Sequence, residues 1–113
     1  MHEMGIAQNI LEIAIDAANK EDAKKISRIN LLAGELRGIV PLQLTFCFSI
    51  ASQNTIASGA YLNIDTVAVS GHCGDCNADF SIEEYQYLCP KCANKNIQIT
   101  GGTELRIKDI EIE

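Results

Sequence analysis

The apolar residues at the start of the chain change from helical to alternating spacing. Between residues 6 and 18 they recur every three to four positions, as Ile6, Ile10, Leu11, Ile13, Ala14 and Ala17. This period predicts an amphipathic helix that ends in the polar run 19–22. From Ser27 to Leu36 apolar and polar residues alternate instead, which predicts a strand with Ile29, Leu31 and Ala33 on one side.

A second helix and two further strands are predicted downstream. Pro41 suits the first turn of a helix, where its missing N–H leaves no hydrogen bond unmade. The predicted apolar face of this helix comprises Leu44, Cys47, Phe48 and Ala51, widened by Phe46 and Ile50. A strand remains an alternative for part of this run. Alternating residues then predict strands over Tyr61–Val69 and Thr103–Ile112.

Residues 70–102 interrupt this pattern, because glycine, cysteine and polar residues replace the aliphatic periodicity. Gly71 marks the entry and Gly101–Gly102 the exit. A segment of about 30 residues buries too little apolar surface to fold unaided, so it needs a cross-link such as a bound metal or a disulfide. We therefore expect an α+β fold, with a three-stranded mixed sheet and two helices formed by residues 1–70 and 103–113. A zinc-ribbon-like module of residues 71–102 is inserted into it.

The cysteines indicate what kind of cross-link stabilises this segment. Four of the five form two C-x-x-C pairs, Cys73/Cys76 and Cys89/Cys92. Structural disulfides are rare in a reducing cytosol, and an odd number of cysteines fits a disulfide framework poorly. Two C-x-x-C turns supply a closed tetrahedral shell of four thiolates, which is typical of structural zinc. We expect these four residues to bind zinc and residues 80–88 to form a hairpin between them.

Other chemistries use similar residues. A rubredoxin-type iron site has the same four ligands. A thiol–disulfide enzyme would place its C-x-x-C motif after a strand and at the start of a helix, with an accessible thiolate of low pKa, here at Cys89. A nucleic-acid-binding zinc ribbon would need clustered cations, whereas this module is acidic through Asp75, Asp79, Glu83 and Glu84.

Composition and charge narrow the range of functions. The net charge of −6 argues against nucleic acid and anionic membranes as partners. The start of the chain has no signal-peptide pattern, and no run approaches the roughly 18 apolar residues of a membrane helix, so we expect a cytoplasmic protein. With two histidines and no plausible triad, we expect a binding protein and not an enzyme.

Two further residues carry reactive side chains without a clear chemical role. Cys47 stands alone on an apolar segment, and we expect it to be a buried core residue. His72 directly precedes Cys73. We expect its side chain to face solvent, the alternative being a contact with the metal ligands or ligation of the metal itself.

The amino terminus offers a second metal site. The Met1 amine, the backbone nitrogen of His2 and its imidazole Nδ1 close two chelate rings in one plane, which suits Ni(II) or Cu(II). Glu3 or a residue from elsewhere would supply or support the fourth ligand. The amine and imidazole must lose protons, so binding weakens in acid. The simpler interpretation is a histidine near a frayed end.

Taken together, these segments resemble the HypA family of nickel metallochaperones for [NiFe]-hydrogenase maturation. The resemblance runs from end to end. The matching segments are Met1–Met4, Leu32–Leu36, Leu44–Phe48, Gly59–Ala60, the four paired cysteines and Gly102–Ile107.

The resemblance implies a function residue by residue. His2, with the Met1 amine, matches the family's nickel anchor, and Glu3 matches a neighbour that tunes or supports that site. The four paired cysteines match its structural zinc ligands. A HypB-type GTPase and the hydrogenase large subunit are the implied partners, and a homodimer is a further option. A zinc-stapled interaction module without transferable metal is the alternative function.

Overall fold

The computed structural model describes residues 3–84 and 86–113, which divide into two compact units. The first unit takes in the chain up to Leu32, Gly38–Asp65 and Arg106–Glu113. The second takes in Ala33–Arg37 and Thr66–Leu105. The second unit is thus the cysteine module together with its flanking linkers, the last two residues of the first strand and the short helical turn that follows them.

The order of elements confirms the expected fold class of two helices, a three-stranded mixed sheet and a four-cysteine module. In chain order the elements are α1 (Glu3–Lys20), β1 (Ile26–Gly34), a short 3₁₀ helix (Glu35–Arg37), α2 (Pro41–Ala51), β2 (Tyr61–Val67), β3 (Ser70–Cys73), β4 (Asp79–Ser81), β5 (Ile97–Gly101) and β6 (Leu105–Ile112). No described helix is long and apolar enough to cross a membrane.

Helix α1 forms where the periodicity predicts it, but its buried face is rotated from the predicted one. Ile13 is 51% exposed and Ala17 is exposed, although both were expected in the core. The apolar residues that the helix buries are Ala7, Ile10, Leu11, Ala14 and Ala18. Three of these are alanines, which allow the close approach of α2, against which α1 packs.

Helix α2 begins at Pro41, as predicted, with Val40 as its N-cap. Leu44 and Phe48, one turn apart, are buried. Cys47 is only half-buried, so the expectation of a core cysteine is wrong. It lies beside the buried row of the helix and not on it.

The first unit contains most of the sheet with strand order β2-β1-β6. The central strand β1 buries Ile29, Leu31 and Ala33, which confirms the predicted alternation. The backbone groups of Lys25 and Glu113 bond each other in both directions, at 2.8 and 3.3 Å, as antiparallel neighbours do. In this mixed sheet, β1 and β2 are therefore the parallel pair that α2 connects.

The second unit contains the antiparallel sheet with strand order β4-β3-β5. Gly71, in β3, lies opposite Phe80 and Ile99, and a Cβ there would meet the Ile82 side chain at 2.9 Å. The predicted hairpin over residues 80–88 is not formed by the described residues. Only its beginning is a strand, and that strand pairs with β3 instead.

Candidate metal centre

The four paired cysteines converge on one point of the second unit. Their sulfur atoms all lie within 4.8 Å of one another. The Cys73 and Cys92 sulfurs are 3.5 Å apart, as are those of Cys76 and Cys89. Each C-x-x-C pair places its first cysteine in the interior and its second at the surface. The structure thus brings together all four residues that the sequence selected.

The two C-x-x-C turns have the same backbone construction. In the first, the Cys73 carbonyl accepts from the Asn77 N–H and the Cys73 N–H donates to Ala78, both at 2.9 Å. In the second, the Cys89 carbonyl accepts from Ala93 at 2.9 Å, and the Cys89 N–H donates to Asn94 at 3.1 Å. This repeated turn fixes the sulfurs of each pair on the same side of the backbone.

Each turn requires a left-handed residue directly after its second cysteine. Asn77 has φ of 62° and Ala93 has φ of 59°. Asparagine tolerates this conformation because its short side chain can bond locally, whereas alanine is strained in it by about 1–2 kcal/mol. The second turn therefore carries strain that the first largely avoids.

The strain at Ala93 gives a stability prediction. We expect Ala93→Gly to stabilise the zinc-loaded protein by about 0.5–1 kcal/mol, since glycine relieves the left-handed strain but gains entropy in the unfolded chain. Urea unfolding of the two proteins measures this difference. Ala78→Gly, at a residue without positive φ, is the control and should destabilise. Equal effects of the two substitutions would contradict the prediction.

The thiols of the cluster hold their protons unequally. Backbone hydrogen bonds from Cys92 and Lys91 lower the pKa of Cys89 to about 6, outweighing its burial. At Cys76 the largest single influence is the backbone hydrogen bond with Ala78, which lowers the pKa. The hydrogen bonds shared with the other three cysteines and the partial loss of solvation together outweigh it and raise the pKa to about 12. Cys89 is nonetheless only 3% exposed, and its turn leads to β5 and not into a helix. These features do not fit a thiol–disulfide enzyme.

The cluster fits zinc. Zn–S bonds of about 2.3 Å place the sulfurs of a regular tetrahedron roughly 3.8 Å apart, close to the spacing found here. The Cys76 N–H and the Asn94 side-chain amide each point at a cysteine sulfur, at 3.5 Å, and would stabilise the charge of bound thiolates. Four protein ligands leave no open position, so such a metal would be structural.

His72 is not part of this cluster among the described residues. Its Nδ1 is 2.7 Å from the Asp79 carboxylate, across the β3–β4 pair, and its side chain is 31% exposed. The His72 side chain is therefore not an unpaired solvent-facing group, and it is not placed to bind a metal together with the four cysteines. Its partner is a surface carboxylate of the neighbouring strand.

The proposed nickel ligands fall partly outside the described residues, because Met1 and His2 are not described. Glu3 is the first residue of α1 and is 8% exposed, an unusual degree of burial for a carboxylate. The assignment of Met1, His2 and Glu3 to nickel remains a prediction from the sequence.

Comparison with known proteins decides the family. The sequence profile described as "Hydrogenase/urease nickel incorporation, metallochaperone, hypA" matches residues 1–112. The chain belongs to the HypA family. It is 41% identical to the hydrogenase maturation factor HypA of Pelodictyon phaeoclathratiforme, over 100% of this chain and 97% of that protein. It is 40% identical to HypA of Geobacter sulfurreducens over the full length of both.

Solved structures of HypA share the fold. A solution structure of a HypA protein superposes with a TM-score of 0.77 at 28% identity, covering 100% of this chain and 97% of the other. The Ni metallochaperone HypA from Helicobacter pylori gives 0.70 at 26%, covering 99% and 97%. HypA proteins are metallochaperones and maturation factors, which confirms the expectation that the chain is not an enzyme.

Sequence reasoning found the HypA cysteines but missed the residues that shape their turns. Asn77 gave a usable signal, since asparagine is enriched at left-handed positions. Ala93 gave none, because alanine normally avoids that conformation. The pairing of His72 with Asp79 also had no local signal, since it depends on the register of two strands.

Proposed function

We propose that this HypA-family protein binds Ni(II) at its amino terminus and delivers it to the large subunit of a [NiFe]-hydrogenase during maturation. A HypB-type GTPase acts with it, in the cytoplasm. The observation that carries the proposal is the family match over residues 1–112, which includes the Met1-His2-Glu3 start. The description of the Helicobacter pylori relative as a Ni metallochaperone supports the same cargo.

The proposed nickel site uses the planar nitrogens of the amino terminus. The Met1 amine, the His2 backbone nitrogen and the His2 imidazole are the anchors, and Glu3 supports them. The burial of Glu3 at the first turn of α1 supports this role, because its position is fixed next in the chain to the nitrogen donors. A site on a terminus also suits release, since few other groups have to move.

In this proposal the two units bind different metals. The first unit, which contains α1, is the nickel-binding domain, and the second is the zinc-binding domain held by Cys73, Cys76, Cys89 and Cys92. The second contributes structure and surface and does not take part in transfer of the cargo.

A nickel titration tests the proposal. We expect His2→Ala, and equally a variant with two residues added before Met1, to bind Ni(II) at least about tenfold more weakly, since each removes a chelate ring. Isothermal titration with zinc-loaded protein at pH 7.5 measures the affinity. His72→Ala is the matched control and should bind like the wild type.

Equal nickel affinity in all four proteins would refute the terminal site. The remaining function would then be the zinc-stapled interaction module without transferable metal. That alternative predicts tolerance of amino-terminal extensions in hydrogenase maturation as well.

The outer face of α2 supports docking to a protein partner. Leu42, Phe46 and Ile50, spaced by one turn each, are 83%, 65% and 43% exposed. The helix contains no charged residue. An exposed apolar stripe of this kind is typical of a protein–protein interface, in which a partner helix or groove covers it.

This stripe gives a partner-binding prediction. We expect Phe46→Gln to weaken binding of the HypB-type GTPase at least about tenfold, because aromatic residues at the centre of an interface contribute most of its energy. Biolayer interferometry with the purified GTPase measures it, and Gln43→Ala, on the same helix, should leave binding unchanged. Sedimentation of the same variants tests whether the stripe instead forms a homodimer. Unchanged GTPase binding by Phe46→Gln would exclude the stripe as that interface.

A further inference from the structure

The second unit has a cavity beside its metal centre. Its volume is about 290 Å³, and its apolar walls come from Phe80, Leu88 and Pro90. Its polar lining comes from Ser81, Glu83 and Gln86. Pockets for whole cofactors and drug-sized ligands begin at roughly 300 Å³. This cavity is at the lower end of that range and is large enough to hold one long side chain.

One backbone hydrogen bond joins two of the lining residues, Glu83 and Gln86. The Gln86 N–H donates to the Glu83 carbonyl at 3.0 Å, and Glu84 between them has φ of 52°. The Glu83 carboxylate makes no hydrogen bond or ion pair with any residue in 3–84 or 86–113. It is exposed at the cavity and available to a ligand.

The second unit as a whole is acidic. The second unit carries six carboxylates against three side-chain cations. No cation is among the described lining residues. Cys89 also lines the cavity, and a zinc ion held by four thiolates leaves the cluster with a net charge of about −2.

A cavity lined by apolar side chains and one carboxylate has a defined complement. Lysine and arginine combine an aliphatic stem, which packs on apolar surface, with a cationic tip that stays near solvent and carboxylates. The Phe80 ring adds a face to which a cation is attracted. An apolar side chain would leave Glu83 unpaired, and an acidic one would be repelled.

We propose that this cavity is a recognition pocket for a lysine or arginine side chain presented by an extended segment of a partner protein. It would give the zinc unit a direct role in partner recognition. The nickel site takes no part in it, so a failure here leaves the proposed cargo untouched.

The test uses full-length, zinc-loaded, nickel-free protein and three acetylated, amidated pentapeptides. They share glycine and serine at four positions and carry arginine, lysine or norleucine at the centre. In ¹H–¹⁵N spectra we expect the two cationic peptides to shift the amides of Ser81, Gln86 and Ala93 saturably. The norleucine peptide should bind at least about fivefold more weakly, because it lacks the charge.

Two variants that change the net charge equally distinguish binding in the cavity from general electrostatic attraction to an acidic protein. Glu83→Gln should weaken binding of the arginine peptide at least about fivefold, and Glu84→Gln, which is outside the lining, should change it less than about twofold. Equal weakening by both variants, equal binding of the norleucine peptide, or no saturable shift at millimolar peptide would each overturn the proposal.

Discussion

Replacing Cys73 with serine is expected to abolish zinc retention and unfold the second unit, while the helices of the first unit persist. Cys73 is fully buried and ends β3, the central strand of the β4-β3-β5 sheet. A serine there loses the thiolate and leaves a hydroxyl in the interior. Strands β4 and β5, which both pair with β3, then lose the metal-bound strand that holds them in place.

The size of this effect follows from how little else holds the second unit together. Among its described residues, the buried apolar ones are Ala33, Val69, Cys73, Ile82 and Cys89, and two of these are cluster cysteines. A core of three small or medium aliphatic side chains does not offset the entropy of ordering this unit. Structural zinc contributes on the order of 10 kcal/mol, which is then the main source of its stability.

Metal analysis and two spectroscopic signals check this prediction. The zinc content of Cys73→Ser should fall from one per chain to near zero, and the amide signals of β3, β4 and β5 should collapse to random-coil positions. The helical circular dichroism should remain, because α1 and α2 both lie in the first unit. Cys47→Ser, at the one cysteine outside the cluster, should keep its zinc. Full zinc retention by Cys73→Ser would rule out the four-sulfur site.

The parts of the fold that could be predicted were those that local spacing determines. The alternation of Ile29, Leu31 and Ala33 located β1, and Pro41 located the start of α2. The cysteine pairs identified the metal centre because a C-x-x-C turn is itself a local structure. Each of these signals lies within a few neighbouring residues.

The parts that could not be predicted depend on contacts between distant segments. The face of α1 rotated towards its small residues, so that Ala18 is buried and Ile13 is not, because close packing against α2 outweighed hydrophobicity. Residues 80–88 did not form their own hairpin, because β4 pairs with β3 instead. Only the family resemblance identified nickel as the cargo, because the spacing of the terminal nitrogen donors suits Ni(II) and Cu(II) equally well.

Gly34 is expected to be the least replaceable glycine in the protein, because a side chain there would collide with neighbouring backbone and not because its own φ requires glycine. A Cβ at Gly34 would lie within the van der Waals radii of the Gly102 carbonyl group and 2.5 Å from the Thr103 nitrogen. These are backbone atoms and cannot rotate away. The Gly34 N–H also donates to the Glu104 carbonyl at 2.6 Å, and the Leu36 N–H to the Gly102 carbonyl at 2.9 Å, so the two segments are held at this separation.

Neither segment can move aside to admit a methyl group. Gly102 has φ of 102°, in a region that favours glycine, and a Cβ there would meet the Val69 Cα at 2.8 Å. The returning linker is therefore packed between Gly34 on one side and Val69 on the other. Moving it would break both hydrogen bonds and disturb one of the few buried side chains of the second unit.

We therefore expect Gly34→Ala to cost at least about 3 kcal/mol of stability, the upper range for inserting a methyl group into a packed interior. Gly5→Ala is the matched control, since nothing lies within 4 Å of its Cβ position and alanine is the better helix former by about 1 kcal/mol. Urea unfolding of the two variants, both loaded with zinc, compares the same chemical change at a blocked and an open position. If Gly34→Ala were as stable as the wild type, the returning linker would have to move at little cost, and the close contact between Gly34 and Gly102 would not be what holds the end of β1 against this linker.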